Sequence, residues 1–158
     1  MLARSLVSAL LALVPMVIGY AVWQFFTEDE QTGSTWIEPA SGERLAQGKA
    51  LYDVYCASCH GVNLEGQASW RQRMANGRLP APPHDVSGHT WHHTDSQLVE
   101  MIEIGFVGGV NAPEGYQSDM PAFGKVLSEE QIALILAYIK SVWPQEALEA
   151  QREITSNR

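Results

Sequence analysis

Cys56-Ala57-Ser58-Cys59-His60 holds both cysteines of a 158-residue chain, with a histidine directly after the second. A disulfide between residues three apart would close almost no loop and so would stabilise little. A thioredoxin-like dithiol needs a βαβ setting, which the flanking helical sequence does not offer. A zinc site would need two further ligands. His84 and His89 could be drafted, but Cys59 and His84 are separated by more than the usual spacing of about 12–15 residues. The C-x-x-C-H string is instead the signature of covalent haem attachment. Two thiols three positions apart near a helix end can add to the two vinyl groups on one porphyrin edge. The next residue, His60, then lies under the iron as proximal ligand.

The sequence around the motif is helical. Leu45, Gly48, Tyr52 and Tyr55 recur at helical spacing and predict a helix from near Glu43 to about Ala57. Thr94-Asp95-Ser96-Gln97 reads as a capping box, with Leu98, Met101 and Ile102 on one face and Gly105 as the stop. Ser128 and Gln131 form a second box, and Glu129 and Glu130 suit the positive end of that helix. Ile132, Ile135, Leu136, Ile139, Val142 and Trp143 then make one apolar stripe until Pro144. Between residues 61 and 93 Gly, Pro, Asn and Arg break every period, so a long loop is expected, and a loop of that length needs something to wrap. No segment alternates as a strand, and there is no internal repeat. The domain is expected to be all-α.

An iron that only carries electrons needs a sixth ligand. Met120, in Ser118-Asp119-Met120-Pro121-Ala122-Phe123, is the candidate. A residue before proline is held extended, which can present the thioether inward. Met101, on an apolar helix face, and Met74, among arginines, suit core filling better. A His/Met pair favours ferrous iron and leaves no open site for oxygen chemistry.

A short helix entering C-x-x-C-H, a long loop, a Met-Pro and a closing amphipathic helix together resemble class I cytochrome c over about residues 43–143. The resemblance implies the cytochrome c fold, three or more helices wrapped around one covalent haem c. Cys56 and Cys59 would be the thioether sites, His60 the proximal ligand and Met120 the distal one. The family crosses its first and last helices where a glycine lets an aromatic approach. Gly48 and Tyr52 match the first-helix positions, and Tyr138 is the expected partner. Many members have a Gly-Pro soon after the haem motif, whose carbonyl receives the histidine N–H. Here the first prolines come later, at Pro80, Pro82 and Pro83, and the resemblance does not choose among them.

Residues 1–26 form a separate object. Leu6 to Phe26 carries no charge and, at about 1.5 Å per residue, reaches about 31 Å, enough to cross a bilayer core of about 30 Å. Arg4 precedes it, while Glu28, Asp29 and Glu30 follow. This places the amino terminus in the cytoplasm and the haem domain in the periplasm of a bacterial-type inner membrane, single-pass. A cleaved signal peptide is the competing reading. The apolar run is too long for one, and no small-x-small site follows. Residues 27–42 read as a flexible linker, 43–143 as the haem domain and 144–158 as a C-terminal tail.

The chain carries ten Lys and Arg against eighteen Asp and Glu. No basic cluster exists to neutralise phosphates, which excludes nucleic acid as a partner. An acidic surface serves solubility alone or favours membrane redox complexes or other carriers that present a basic docking patch, and the charge by itself leaves both readings open. No Ser/His/Asp set or paired carboxylates can be argued, and the Gly-rich Phe106–Tyr116 stretch is a connector rather than a phosphate cradle.

Four of five histidines fall between His84 and His93. One reading is a second metal site, for instance copper, from His84, His89 and His92 or His93, with Asp85 or Asp95 nearby. The preferred reading is that this loop borders the haem, with Trp91 as a candidate propionate contact and imidazole N–H groups as donors to propionates or helix caps. The expected function is electron transfer between membrane-associated redox partners, as a carrier rather than an enzyme, free or within an oxidoreductase complex. The alternative is a haem sensor or redox-enzyme subunit with a labile distal ligand.

Overall fold

The computed structural model describes residues 36–157. The expected membrane span lies outside them, as does the linker up to residue 35. Among the described residues no helix is long and apolar enough to cross a membrane.

Among the described residues five α-helices follow one another: α1 (Gly42–Tyr55), α2 (Ala57–His60), α3 (Asp95–Ile104), α4 (Glu129–Lys140) and α5 (Gln145–Ser156), with a 3-10 turn at Thr90–His92. The described residues contain one isolated bridge, Gly108 to Ala112, and no regular strand. The all-α expectation therefore stands.

Helix α4 is the apolar centre, with Ile132, Ile135, Leu136 and Ile139 all buried. It starts at the expected capping box, Ser128 with Gln131, and α3 starts at its own, Thr94 with Gln97. In both, the hydroxyl and the Gln side chain satisfy otherwise orphan first-turn N–H groups reciprocally. Helix α4 ends at Lys140, before the predicted stripe does. Val142 is 47% exposed, while Trp143 turns back into the core.

Helix α1 has almost no amphipathic stripe; its buried residues are Gly48 and Tyr52. Its contact with α4 depends on the absence of a side chain at 48. A Cβ there would lie 2.3 Å from the Leu134 carbonyl oxygen. The Tyr52 and Tyr138 rings meet 5.3 Å apart at 55°, so the helix contact expected from the resemblance is present between α1 and α4, with Tyr138 as partner, although α4 is followed by a further helix. Tyr52 also donates its hydroxyl to the Gly61 carbonyl at 2.9 Å, tying α1 to the turn after the cysteine motif.

Two expectations at the ends change. The linker reading of 27–42 does not hold from Trp36 onward. Trp36 and Ala40 are buried, and the Ala40 N–H donates to the Ala137 carbonyl at 2.9 Å. Residues 144–158, read as a tail, contain α5, which Pro144 opens rather than forbids, since proline suits a helix start. Helix α5 buries Ala147, Gln151 and Thr155, spaced four apart on one face.

A buried polar node joins these ends to α3 and α4. Lys140 Nζ lies 2.6 Å from Asp95 Oδ1, donates to the Ile37 carbonyl at 2.8 Å and sits 3.6 Å over the Trp36 ring. Asp95 also accepts from the Ile37 N–H at 2.6 Å and from Gln151 Nε2 at 2.7 Å. Buried charges persist only when paired and hydrogen-bonded in this way.

Candidate cofactor site

Helix α1 breaks at Cys56, and α2 restarts one residue later, with the His60 N–H donating to the Cys56 carbonyl at 2.9 Å. The short turn gives Cys56, Cys59 and His60 three different environments. Cys56 is half-buried, Cys59 exposed, both are free thiols, and His60 is buried. Burial pushes the Cys56 thiol up to about 12, with Cys59 adding to the shift.

His60 Nδ1 lies 2.8 Å from the Pro82 carbonyl oxygen. A carbonyl can only accept, so Nδ1 carries the proton and Nε2 is left with its lone pair. Burial lowers the His60 pKa, against the Pro82 bond, and keeps the imidazole neutral. A neutral imidazole with its second nitrogen held by a carbonyl is the arrangement of a metal-ligating histidine. Of the three candidate prolines, Pro82 is the one that serves. The Pro83 carbonyl is instead crowded by Gly88, where a Cβ would lie 2.0 Å from its oxygen.

The long loop reaches His60 through short backbone bonds. The Gly66 N–H donates to the His60 carbonyl at 2.7 Å, Gln67 N–H to Ala81 at 2.9 Å and His84 N–H to Leu64 at 2.8 Å. Its 3-10 turn carries Trp91, whose Nε1 is buried without a hydrogen-bond partner. Such a donor costs about 1–3 kcal/mol if left unmade, and a haem propionate is an acceptor that would relieve it. Two thiols at the right spacing, a neutral imidazole with an available nitrogen and an orphan donor together fit haem c.

Met120 is partly buried and packs on the core cluster that also contacts Cys56, Trp91 and Phe123. Its segment is laid along the end of α3: Phe123 N–H donates to Ile102 and Gly124 N–H to Glu103, each at 2.9 Å. The Met120 N–H donates to Ser118 Oγ at 3.0 Å. Neighbouring Asp119 pairs with Arg78 of the long loop.

Each histidine of the loop packs against another ring. His84 stacks on His60, His89 stacks on Trp70 and meets His93 edge-on at 5.6 Å, and His92 lies against Trp91. Asp85 accepts from the Ser87 N–H and hydroxyl, while Asp95 is held by Lys140. Among the described residues no three His, Cys, Asp or Glu side chains meet as a metal site, so the copper set is not brought together.

Sequence reasoning missed the His84 contact and the Lys140–Asp95 pair. For Lys140 a signal existed: it lies four residues after Leu136, in phase with the apolar stripe. Nothing local marks His84 as facing His60.

Comparison with known proteins gives a consistent result. Residues 45–143 match the Cytochrome c family. The chain is 32% identical over 98 residues to cytochrome c-555 of Prosthecochloris aestuarii, covering 60% of this chain and 84% of that protein. It is 29% identical over 97 residues to the cbb3-type cytochrome c oxidase subunit FixP of Azorhizobium caulinodans, covering 61% of this chain and 29% of FixP. The similarity thus spans less than a third of FixP. No solved structure matches the chain.

Proposed function

This chain belongs to the cytochrome c family, whose cofactor is covalently attached haem c, and from that premise we propose that it is a one-haem electron carrier with His/Met ligation. Cys56 and Cys59 form the thioethers, His60 is the proximal ligand and Met120 the distal one. The observation that supports the reading is the 2.8 Å contact from His60 Nδ1 to the Pro82 carbonyl, which leaves the Nε2 lone pair available to a metal.

Bound at these residues, haem c supplies a reversible one-electron iron couple. The chain's own part is positional. The α1–α2 break carries both cysteines within one short turn, where their thiols would attach the haem, and Pro82 fixes the tautomer of His60. The bonds from Phe123 and Gly124 to the end of α3 hold the Met-Pro segment, and Trp91 Nε1 offers a donor to a propionate. The apolar environment of the thioether and imidazole disfavours net charge and so favours the ferrous state.

The carrier works at the periplasmic face of a cytoplasmic membrane, anchored by Leu6–Phe26, and is not itself an enzyme. Its partners are membrane redox complexes or other carriers that present a basic patch to this acidic chain, steered by charge. Membership of a larger oxidase assembly is a second reading, supported by the similarity to a protein named as an oxidase subunit.

Ligand variants test the proposal. Met120→Ala should keep covalent haem and gain a carbon monoxide complex, and His60→Ala should lose the low-spin spectrum. Met120→Ala with a spectrum identical to wild type would overturn the His/Met assignment. Alkaline-carbonate washing of membranes tests the anchor: release of the full-length chain into the wash would contradict it.

A further inference from the structure

The Pro82 bond pins one atom of the His60 ring. It limits rotation of the ring about Cβ–Cγ, yet a hydrogen bond tolerates about 30° of departure from linearity, so the plane keeps some latitude. His84 narrows that latitude from the face of the ring. The two imidazoles lie face to face, centroids 3.9 Å apart and planes 20° from parallel. We propose that His84 is a positioning residue for the axial imidazole, setting the plane in which His60 presents Nε2.

Four contacts make His84 a firm surface for that purpose. Its Nδ1 is 2.8 Å from Thr90 Oγ1, and Thr90 Oγ1 in turn donates to the Pro83 carbonyl at 3.5 Å, so the His84 N–H is the donor to Thr90. Its backbone N–H donates to Leu64 at 2.8 Å, and its carbonyl accepts from Trp143 Nε1 at 2.8 Å. The edge of Tyr52 approaches at 6.3 Å and 75°. A flat ring held at its edge, its backbone and its side in this way can restrict the plane of a second ring stacked on it, whereas a branched aliphatic side chain offers no plane. Burial and the neighbouring imidazoles of His60 and His89 hold His84 neutral, so the stack joins two uncharged rings rather than a pair of cations. One element of the histidine-rich loop thereby gains a role that neither metal binding nor helix capping gives it.

The inference rests on His60 being the proximal ligand. The orientation of an axial imidazole plane determines which iron orbital holds the unpaired electron of the ferric state. It is read in the spread of electron paramagnetic resonance g-values and in the order of the haem methyl proton shifts. The test uses the purified full chain with its haem, in wild type, His84→Leu, His84→Phe and Thr90→Val. Haem content and reduced absorption bands serve as controls for folding and ligation. His84→Leu is expected to change both the g-spread and the methyl order while keeping one haem per chain. His84→Phe keeps a flat ring on His60 but loses the bond to Thr90, and should fall with Thr90→Val between wild type and the leucine variant. Thr90→Val unpins the His84 ring and should move the signals in the direction of the leucine variant. If His84→Leu fails to load haem, Thr90→Val decides alone. Spectra of the leucine and valine variants superimposable on wild type would overturn the proposal while leaving His60 as ligand. A wild-type ferric spectrum without an imidazole ligand would sink the ligand reading itself.

Discussion

Gly48 of α1 and Tyr138 of α4 meet with no room for a side chain between them: a Cβ on residue 48 would stand 2.9 Å from the Tyr138 Cβ. The Leu134 carbonyl closes the other side of the same gap at 2.3 Å, and a backbone carbonyl in a helix cannot swing away. Alanine is the better helix former by about 1 kcal/mol, but overpacking a closed contact costs about 1–3 kcal/mol or more. Gly48→Ala should therefore lower the thermal midpoint of the haem-loaded protein, followed by circular dichroism. A raised midpoint would mean that the helices part freely.

Removing one member of the Lys140–Asp95 pair should cost more than removing both. Both side chains are buried, at 0% and 1% exposure. Burial draws the ammonium down to about 8, while the Asp95 carboxylate pulls the other way. Lys140→Met strands a buried carboxylate, a loss of about 3–5 kcal/mol. A Lys140→Met, Asp95→Leu double variant should recover part of that loss in urea titrations. Strict additivity of the two single changes would argue that the groups do not depend on each other.

Acid should destabilise the fold through His84. Its folded-state pKa lies well below the ordinary 6.5, because burial disfavours the cation. Above about pH 6.5 neither folded nor unfolded chain holds that proton, so the group contributes nothing. As pH falls below 6.5 the unfolded chain takes up a proton that the folded chain refuses. Stability then drops by at most about 1.4 kcal/mol per pH unit. Urea unfolding between about pH 7.5 and 5 should show this slope, shallower in His84→Phe. An equal slope in that variant would assign the acid sensitivity elsewhere.

Trp91→Phe keeps the ring and deletes the orphan Nε1 donor. If that donor serves a propionate, its loss leaves more negative charge facing the iron and favours the ferric state. The midpoint potential should then fall, by an amount on the order of tens of mV. An unchanged potential with full haem content would remove Trp91 from the propionate site.

What could be read in the sequence was what is local or periodic. The capping boxes at Thr94 and Ser128 are four-residue patterns, and the stripe of α4 is a simple repeat, so both were legible. Cys56, Cys59 and His60 sit in one string, and the order of motifs led to Gly48 and Tyr138. The bond from Pro82 was not selectable, because Pro80, Pro82 and Pro83 are equivalent as neighbours in sequence and only the path of the loop distinguishes them. Helix α5 escaped because its docking face is Ala147, Gln151 and Thr155, which matches no apolar pattern. Trp36 packs under Lys140, more than a hundred residues away, and no window along the chain contains both.

The most direct test of the central claim is the absorption spectrum of the detergent-purified, chemically reduced full chain, recorded before and after adding carbon monoxide. An iron closed by His60 and Met120 gives c-type bands that carbon monoxide leaves unchanged. A clear carbon monoxide complex would mean an open distal position and a sensor or enzyme rather than a carrier, and the absence of haem bands would contradict the account at its root.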